Sequence, residues 1–499
     1  MKNLTLKLTK QLLFLGIISL FLGSCGSSQP KIEISGLGLD LKEIKERGKL
    51  IALTGYNSTS YFVYKGTPMG YEYELLEQLA MELEVDLEVK VVQRMDQILD
   101  LLNQGVGDIV AINMTVTQER QKEVNFTDHI TLTRQVLVQR TPESFLQTGV
   151  GSEKTVNIKS TIDLIGKKVF VRTNTSYSSR LKNLSDEIGG EIKINEVEGD
   201  VNTEDLIKKV AEGEIDYTVA DENVALINQT YYSNLNISVP ISFPQKIAWA
   251  VRKDSPDLTN AVNSWLKQIK KKNLFYVLYA KYYRNQKLKL KTINSEFFSP
   301  NTGKISPYDK TIKKYAKKID WDWRIIASLI YQESKFDPCA ESWTGAKGLM
   351  QLMPTTAEQF GTYHLEDPTE SIIIGTKYLA YLDRMWDGIV PNKEERIKFI
   401  LASYNVGQGH VFDARRLAEK YGKDPNIWEG NVDFYLLNKS KEKYFNDPVV
   451  KVGYCRGEEP FNYVREILSR FNHYKNFVPK SGNKNSKNPK KGILTNIIP

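Results

Sequence analysis

Two kinds of periodicity divide this chain, and the boundary between them limits its fold more than any other feature. From Lys49 to about Tyr283, short apolar runs alternate with helical patterns. Residues 50–53, 87–92 and 108–113 read as strands, with helices over 73–83 and 95–102 between them. A second set opens at 168–172, includes 217–220, and is followed by a returning strand at 247–252. Strands alternating with helices at this spacing predict parallel α/β sheets. Two such sets, with the chain passing between them more than once, predict two lobes joined by a hinge around a cleft. Residues 291–304, with Pro300, Asn301 and Gly303, read as a linker. Beyond it helix follows helix. Ser306-Pro307 and Asp309 supply an N-cap, a proline at the first helical position and a first-turn acid. Ile325, Ile326, Leu329 and Ile330 keep helical spacing, as do Ile374, Tyr378, Leu379 and Leu382.

At 499 residues the chain has room for about three compact units. Lys and Arg number 68 against 60 Asp and Glu, an excess too mild to call for nucleic acid as a partner. Three cysteines are too few for a disulfide scaffold. The N-terminus narrows the compartment. Lys2, Lys7 and Lys10 precede an apolar run over 12–22 that ends in Gly23-Ser24-Cys25. At about a dozen residues that run is too short for a bilayer, which needs about 20, and the pattern is that of a secretory signal. Leu22-Gly23-Ser24-Cys25 also resembles the bacterial lipobox. That resemblance implies a signal peptide over 1–24, a lipidated Cys25 and a tether over 25–45; a plain signal with a chance cysteine is the alternative. A lipid anchor implies an envelope protein and makes nucleic-acid and ATP-driven roles improbable. Gly26 stands where enterobacteria place the Asp of inner-membrane retention, so the expected site is the periplasmic face of the outer membrane. The tail, 479–499, carries Lys480, Lys484, Lys487, Lys490 and Lys491 without an acid. It reads as disordered, either solubilising or touching anionic polymer or lipid.

In the helical part, Glu333 shares a helix face with Ile326, Leu329 and Ile330. A carboxyl desolvated in this way holds its proton near neutral pH, as a general acid must. Spacing alone equally allows a solvated Glu on a last helical turn. The residues that follow decide between the two. Ser342, then Gly348-Leu-Met-Gln-Leu-Met-Pro354, then Ser403-Tyr-Asn-Val-Gly407, then Tyr463 together resemble the soluble lytic transglycosylase domain, a lysozyme-like α fold. The resemblance spans about 305–474. It implies that Glu333 is the catalytic acid/base and that Ser342, Gln351, Met353, Tyr404, Asn405 and Tyr463 line a glycan groove. Most glycosidases need two carboxylates, and no second acid sits inside these motifs. The family manages with one because the muramyl 6-hydroxyl attacks its own C1, giving a 1,6-anhydro ring without water. A hydrolytic muramidase, or a sensor whose lysozyme-like part only grips glycan, are the alternatives.

In the first lobe, Asp108-Ile-Val-Ala-Ile-Asn-Met-Thr-Val-Thr-Gln-Glu-Arg120 and Val124-Asn-Phe-Thr127 resemble family 3 solute-binding proteins. The likeness implies a ligand carboxylate on Arg120, a guanidinium fork suited to it, with Thr115 beside it. It also implies loop donors at Thr173 and an α-ammonium acceptor at Asp221. Surface charges with local partners are the alternative for Arg120 and Asp221. Where such receptors usually have Pro-Pro-Phe, this chain has Thr59-Ser-Tyr61-Phe62, which leaves an aromatic cleft wall at Tyr61 and the ligand open: an amino acid, a stem peptide or a muropeptide.

A solute-binding part fused to a transglycosylase part behind a lipobox resembles the membrane-bound lytic murein transglycosylase F family. The implied architecture is an α/β two-lobed periplasmic-binding-protein-like domain over 46–290, followed by an all-α lysozyme-like domain over 305–478. The implied partners are peptidoglycan glycan strands, a ligand in the N-terminal cleft and the membrane through the lipid anchor. No cofactor is implied. In an oxidising periplasm Cys339 and Cys455 are expected to pair. His129, His364, His410 and His473 show no ligand spacing, so no metal is proposed, and His410 alone stands where it can meet substrate.

Overall fold

The computed structural model describes residues 39–141, 157–198, 201–285, 292, 295–361 and 364–480. The signal, Cys25 and the lysines of the tail beyond Lys480 lie outside the described residues. The first lobe grows around β1 (Lys49–Thr54), whose Leu50, Ala52 and Leu53 are buried. A hairpin follows, β2 (Phe62–Tyr64) and β3 (Thr67–Met69), then helix α1 (Tyr71–Leu83), β4 (Asp86–Val91), β5 (Ile109–Val110) and β6 (Asn125–Phe126). Strand β1 pairs in parallel with β4 and β5, setting Leu50 opposite Leu87 and Ala52 opposite Ile109.

The chain then crosses to the second lobe along β7 (Thr131–Thr133). There β8 (Gln135–Arg140), β9 (Lys168–Arg172), β10 (Lys193–Val197), β11 (Thr218–Asp221) and β12 (Leu235–Asn236) form a sheet in the order β10-β9-β11-β8-β12. It returns along β13 (Gln245–Ile247), antiparallel to β7, and ends in β14 (Ala250–Val251) between β5 and β6. The two crossings therefore pair with each other as a two-stranded hinge. This explains why the strand expected over 247–252 is broken: Ile247 belongs to the hinge, and Ala250 and Val251 to the first sheet. The run 108–113 likewise keeps only Ile109 and Val110 as strand, because Asn113 and Thr115 turn out into the cleft between the lobes.

The C-terminal part is a bundle of α2 (Asp309–Lys318), α3 (Trp323–Ser334), α4 (Pro368–Asp387), α5 (Lys393–Val406), α6 (Gln408–Lys420) and α7 (Glu458–Phe477). Its core includes Ile326, Leu329, Ile330, Leu382, Trp386, Phe399 and Ile467, all fully buried. Part of the expected linker is packed against the first lobe, while Glu296, Thr302 and Lys304 are exposed. Phe298 is buried in the first lobe, and Ser299 exchanges two hydrogen bonds with the Val63 backbone, at 2.9 and 2.6 Å.

The bundle is seated on the first lobe through α3 and α7. The tip of the β2–β3 hairpin lies on Tyr331, Phe336 and Tyr474: Tyr474 Oη donates to the Gly66 carbonyl at 2.9 Å, and Thr67 Oγ1 lies 2.7 Å from Tyr331 Oη. Gly66 has φ +79, and an added Cβ there would come within 2.8 Å of all three rings. Along α7, His473 Nδ1 lies 2.5 Å from Tyr61 Oη, Phe477 stacks on Tyr56 at 4.3 Å, and Asn476 donates to the Val89 carbonyl at 3.0 Å.

Candidate active site and receptor cleft

Helix α3 is capped by Asp322, whose side chain accepts from the Arg324 backbone at 3.0 Å and also holds the Arg324 guanidinium. Its apolar residues Ile326, Leu329 and Ile330 are fully buried, which draws the last turn, with Glu333, into the bundle. The chain leaves that turn sharply, with Lys335 and Phe336 both at positive φ (51° and 65°). Two non-glycine residues in this region cost of order 1–2 kcal/mol each. The bend is fastened by Ser334, whose Oγ donates to the Leu349 carbonyl at 2.8 Å.

The Glu333 carboxyl is half-buried and accepts a short hydrogen bond from Tyr463 Oη on α7. Burial pushes it up to about 7; the Tyr463 bond draws it down and the charge of Glu459 pushes it up. The carboxyl is thus shared about equally between its acid and base forms at neutral pH and is bonded to a phenol, so it can give up a proton and take one back. Tyr404 stands beside it and donates to the Met350 carbonyl at 2.6 Å. Asn405 is half-buried, and Met353 is 40% exposed.

Ser342 and Gln351 are both half-buried, and their side chains are engaged with the loop itself. Ser342 Oγ accepts from the Ala346 backbone at 2.9 Å and lies 2.8 Å from Thr344 Oγ1. Gln351, at φ +43, gives its amide hydrogens to the carbonyls of Ala340 (2.8 Å) and Gly348 (2.9 Å). Both side chains close the loop that follows Glu333, because a turn this tight leaves backbone groups that only a nearby side chain can satisfy. Cys339 and Cys455 do not form the expected bridge. Both are free thiols, one exposed on the turn after α3 and the other buried before α7. Of the acids near Glu333 in sequence, Glu341 is exposed and 3.6 Å from Lys347, and Asp337 accepts from the Cys339 backbone at 3.0 Å.

In the receptor cleft the lobes touch directly. Asn113 donates to Asp221 Oδ2 at 2.7 Å, Tyr177 Oη donates to the same oxygen at 3.2 Å, and Ser58 donates to Glu204 at 2.7 Å. Ser176 Oγ lies 3.5 Å from Thr115 Oγ1. Arg120 turns its guanidinium back onto the Thr115 carbonyl at 2.9 Å. Asp221 is buried, and burial pushes its carboxyl up to about 7, against the Tyr177 bond and the Arg120 charge. Asn113 Oδ1, Gln135 Oε1, Thr173 Oγ1 and Asp221 Oδ1 are buried without a partner among the described residues. Thr115 meets Ser176 of the second lobe and carries Arg120 on its carbonyl, and the Arg120 charge acts on Asp221, while Thr173 Oγ1 is buried at the end of β9. Tyr61, expected as a cleft wall, is instead fully buried against Tyr73, His473 and Phe477. Thr59 and Ser60 spend their hydroxyls on the Asn57 side chain, and the Tyr61 ring is turned toward α7.

Sequence reasoning passed over Asn113 and Tyr177, although both border the receptor-like motifs. It also passed over Trp343, 98% exposed beside Ser342; only surface geometry marks that residue. Among the described residues no cluster of His, Cys, Asp and Glu fits a metal ion, and no helix is long and apolar enough to cross a membrane.

Comparison with known proteins bears on both regions. Residues 50–285 match the family of bacterial extracellular solute-binding proteins, family 3, and 310–427 match the transglycosylase SLT domain. The chain is 36% identical to a membrane-bound lytic murein transglycosylase F of Desulfosudis oleivorans over 86% of this chain and 91% of that one. It is 33% identical to a protein of the same name from Saccharophagus degradans, over 86% and 82%. An ancestral arginine-binding protein bound to arginine aligns with 48% of this chain and 99% of its own at 27% identity and a TM-score of 0.39.

Proposed function

Because the chain belongs to the membrane-bound lytic murein transglycosylase F family, and is therefore a peptidoglycan lytic transglycosylase carrying a solute-binding-like N-terminal domain, we propose that Glu333 is its acid and base. Glu333 protonates the oxygen between N-acetylmuramic acid and N-acetylglucosamine. The bond from that oxygen to the muramyl C1 breaks with oxocarbenium character. The resulting carboxylate then removes the proton of the muramyl 6-hydroxyl as its oxygen bonds to C1. Glu333 ends protonated, the product is a 1,6-anhydro ring, and no water is consumed. Tyr463 holds the carboxyl in place through both steps, and Met353, Tyr404 and Asn405 meet the sugars. The observation that supports this is the Glu333 carboxyl, pushed up to about 7 by burial and bonded to Tyr463. Mass spectrometry of murein digested by the full chain tests it. Anhydro ends, lighter by one water than reducing ends, are expected, and a Glu333→Gln chain should release none. Reducing ends would identify a hydrolase, and full activity in the variant would remove Glu333 from the chemistry.

The receptor cleft is proposed to regulate this activity by binding a ligand with α-ammonium and carboxylate groups, such as an amino acid or a stem peptide, at Asp221 and Arg120. Regulation requires that the ligand favour one arrangement of the lobes, and the contacts of the first lobe with α3 and α7 give a route to Glu333. A stem peptide should change turnover in the native chain and leave an Arg120→Ala chain unaffected. The chain is further proposed to be held at the outer membrane by lipid on Cys25, so that Cys25→Ala moves it out of the membrane fraction.

A further inference from the structure

The C-terminal bundle buries a charge cluster that the proposed mechanism does not use. Lys439 and Asp413 have no exposed side-chain surface, and Lys439 Nζ donates to Asp413 Oδ2 at 2.5 Å. Asp413 also accepts from Arg416 and from the backbone of Lys451 (2.8 Å) and Val452 (2.9 Å). These bonds hold its carboxyl below the ordinary range. A second donation from Lys439 Nζ goes to His410 Nδ1, at 2.9 Å. An ammonium has protons to give and no lone pair to receive with. His410 Nδ1 must therefore be bare, which leaves the ring proton on Nε2. Desolvation and the adjacent Lys439 charge both push the imidazole down, against the pull of Asp413, so the ring stays neutral.

Placement gives this tautomer a use. His410 is the third residue of α6, and its backbone N–H reaches back to the Gly407 carbonyl at 3.3 Å, within a turn of Asn405. His410 is half-buried with its Nδ1 edge on the buried lysine, which leaves Nε2–H on the opposite edge of the ring, away from that lysine. The segment that Asp413 holds covers Gly409 with Val452 and exposes Tyr454. It continues past Cys455, close to both Lys439 and Glu459, to the Glu459 that acts on Glu333. Burying a Lys–Asp pair is costly before its bonds return anything. A cluster arranged around one half-buried histidine suits a functional purpose.

We propose that His410 is a further glycan-binding residue: Lys439 and Asp413 fix its Nε2–H as a permanent neutral donor, which grips an N-acetyl carbonyl of the glycan strand. A cationic donor would suit a carboxylate; a neutral one held so firmly suits an amide oxygen. Lys439 and Asp413 are positioning residues, acting only through His410.

This inference rests on the groove reading around Glu333, and the test separates the two. In the full chain, His410→Ala should raise KM for murein about tenfold, the worth of one well-made hydrogen bond, with kcat little changed. His410→Gln places an amide N–H where Nε2–H stood and should recover most of that loss. Glycan lacking N-acetyl groups should cost the native chain more in KM than it costs His410→Ala. Long-range 1H–15N NMR of the unliganded chain should show His410 as the Nε2–H tautomer from pH 6 to 8. Unchanged KM in His410→Ala, an equal deacetylation penalty in both chains, or an Nδ1–H or doubly protonated ring would each overturn the proposal. If Glu333→Gln stays active, it is the groove reading that fails instead.

Discussion

At the scale of single residues, Glu333 sets a sign that can be measured. Its carboxyl ordinarily titrates at 4.5 and stands at about 7 in the folded chain. The acid form that protonates the glycosidic oxygen is therefore lost above about 7, and kcat/KM should fall there. Since the Tyr463 bond draws the value down, Tyr463→Phe should move that falling limb to higher pH while lowering kcat. A limb that does not move would assign the ionisation to another group. Folding is linked to the same proton, which the folded chain holds more tightly than the unfolded one. The cost of ionising Glu333 is absent below 4.5 and complete above about 7, so stability declines across that window. At about 1.4 kcal/mol for each pH unit between the two values, the decline is at most about 3.5 kcal/mol, and less for a half-buried group. Glu333→Gln should gain thermal stability over the native chain only as pH rises through the window. The position of Glu333 was legible in the helical spacing of its apolar neighbours. Its bond to Tyr463 was not, because 130 residues separate the two and only packing of α3 against α7 joins them.

At the scale of elements, the loop after α3 shows what a motif can conceal. The family resemblance implies that Ser342 and Gln351 line the glycan groove. In the fold their hydrogen bonds go to the backbone of 340–348, and what they supply is the shape of the loop that Met353 leaves. Gly348 belongs to the same device. Its φ is +76, and a Cβ there would sit 1.9 Å from the Leu365 carbonyl oxygen and 3.1 Å from Ser371 Oγ. Backbone cannot yield as a flexible side chain can, so Gly348→Ala should destabilise the chain by about 2–4 kcal/mol. Denaturant midpoints measure it, and a loss under about 1 kcal/mol would show that the loop is free to shift. Strand and helix types followed from periodicity in both lobes. The bounds of β13 and β14 did not, since the hinge crossing, a tertiary feature, cuts through a continuous apolar run, and β5 is shortened because the chain after it turns into the cleft.

At the scale of the whole molecule, the seam between the first lobe and the bundle was invisible to sequence, because every contact across it joins residues hundreds of positions apart. Tyr61 illustrates the point: an aromatic at a receptor's usual cleft position is turned instead onto α7. Its partner His473 is buried, and burial together with Arg470 pushes that imidazole down from 6.5 to about 3. The docked molecule thus binds fewer protons there than an undocked one whose His473 meets water. Docking is fully supported above 6.5 and weakens as pH falls toward 3. At about pH 4.5 the penalty is at most about 3 kcal/mol, taking about 1.4 kcal/mol for each pH unit below 6.5. That is enough to shift a seam made of a hairpin tip and one helix face. Small-angle scattering of the full chain should show expansion between about pH 7 and pH 4.5, before the helical signal is lost. His473→Gln, which keeps a polar partner for Tyr61 but cannot take up the proton, should expand less. Carboxylates elsewhere titrate alike in both chains, so the difference between the two curves belongs to His473. Equal expansion would mean that the seam opens through some other group, and the route from receptor lobe to Glu333 would then have to run through the Gly66 hairpin and Tyr331 alone.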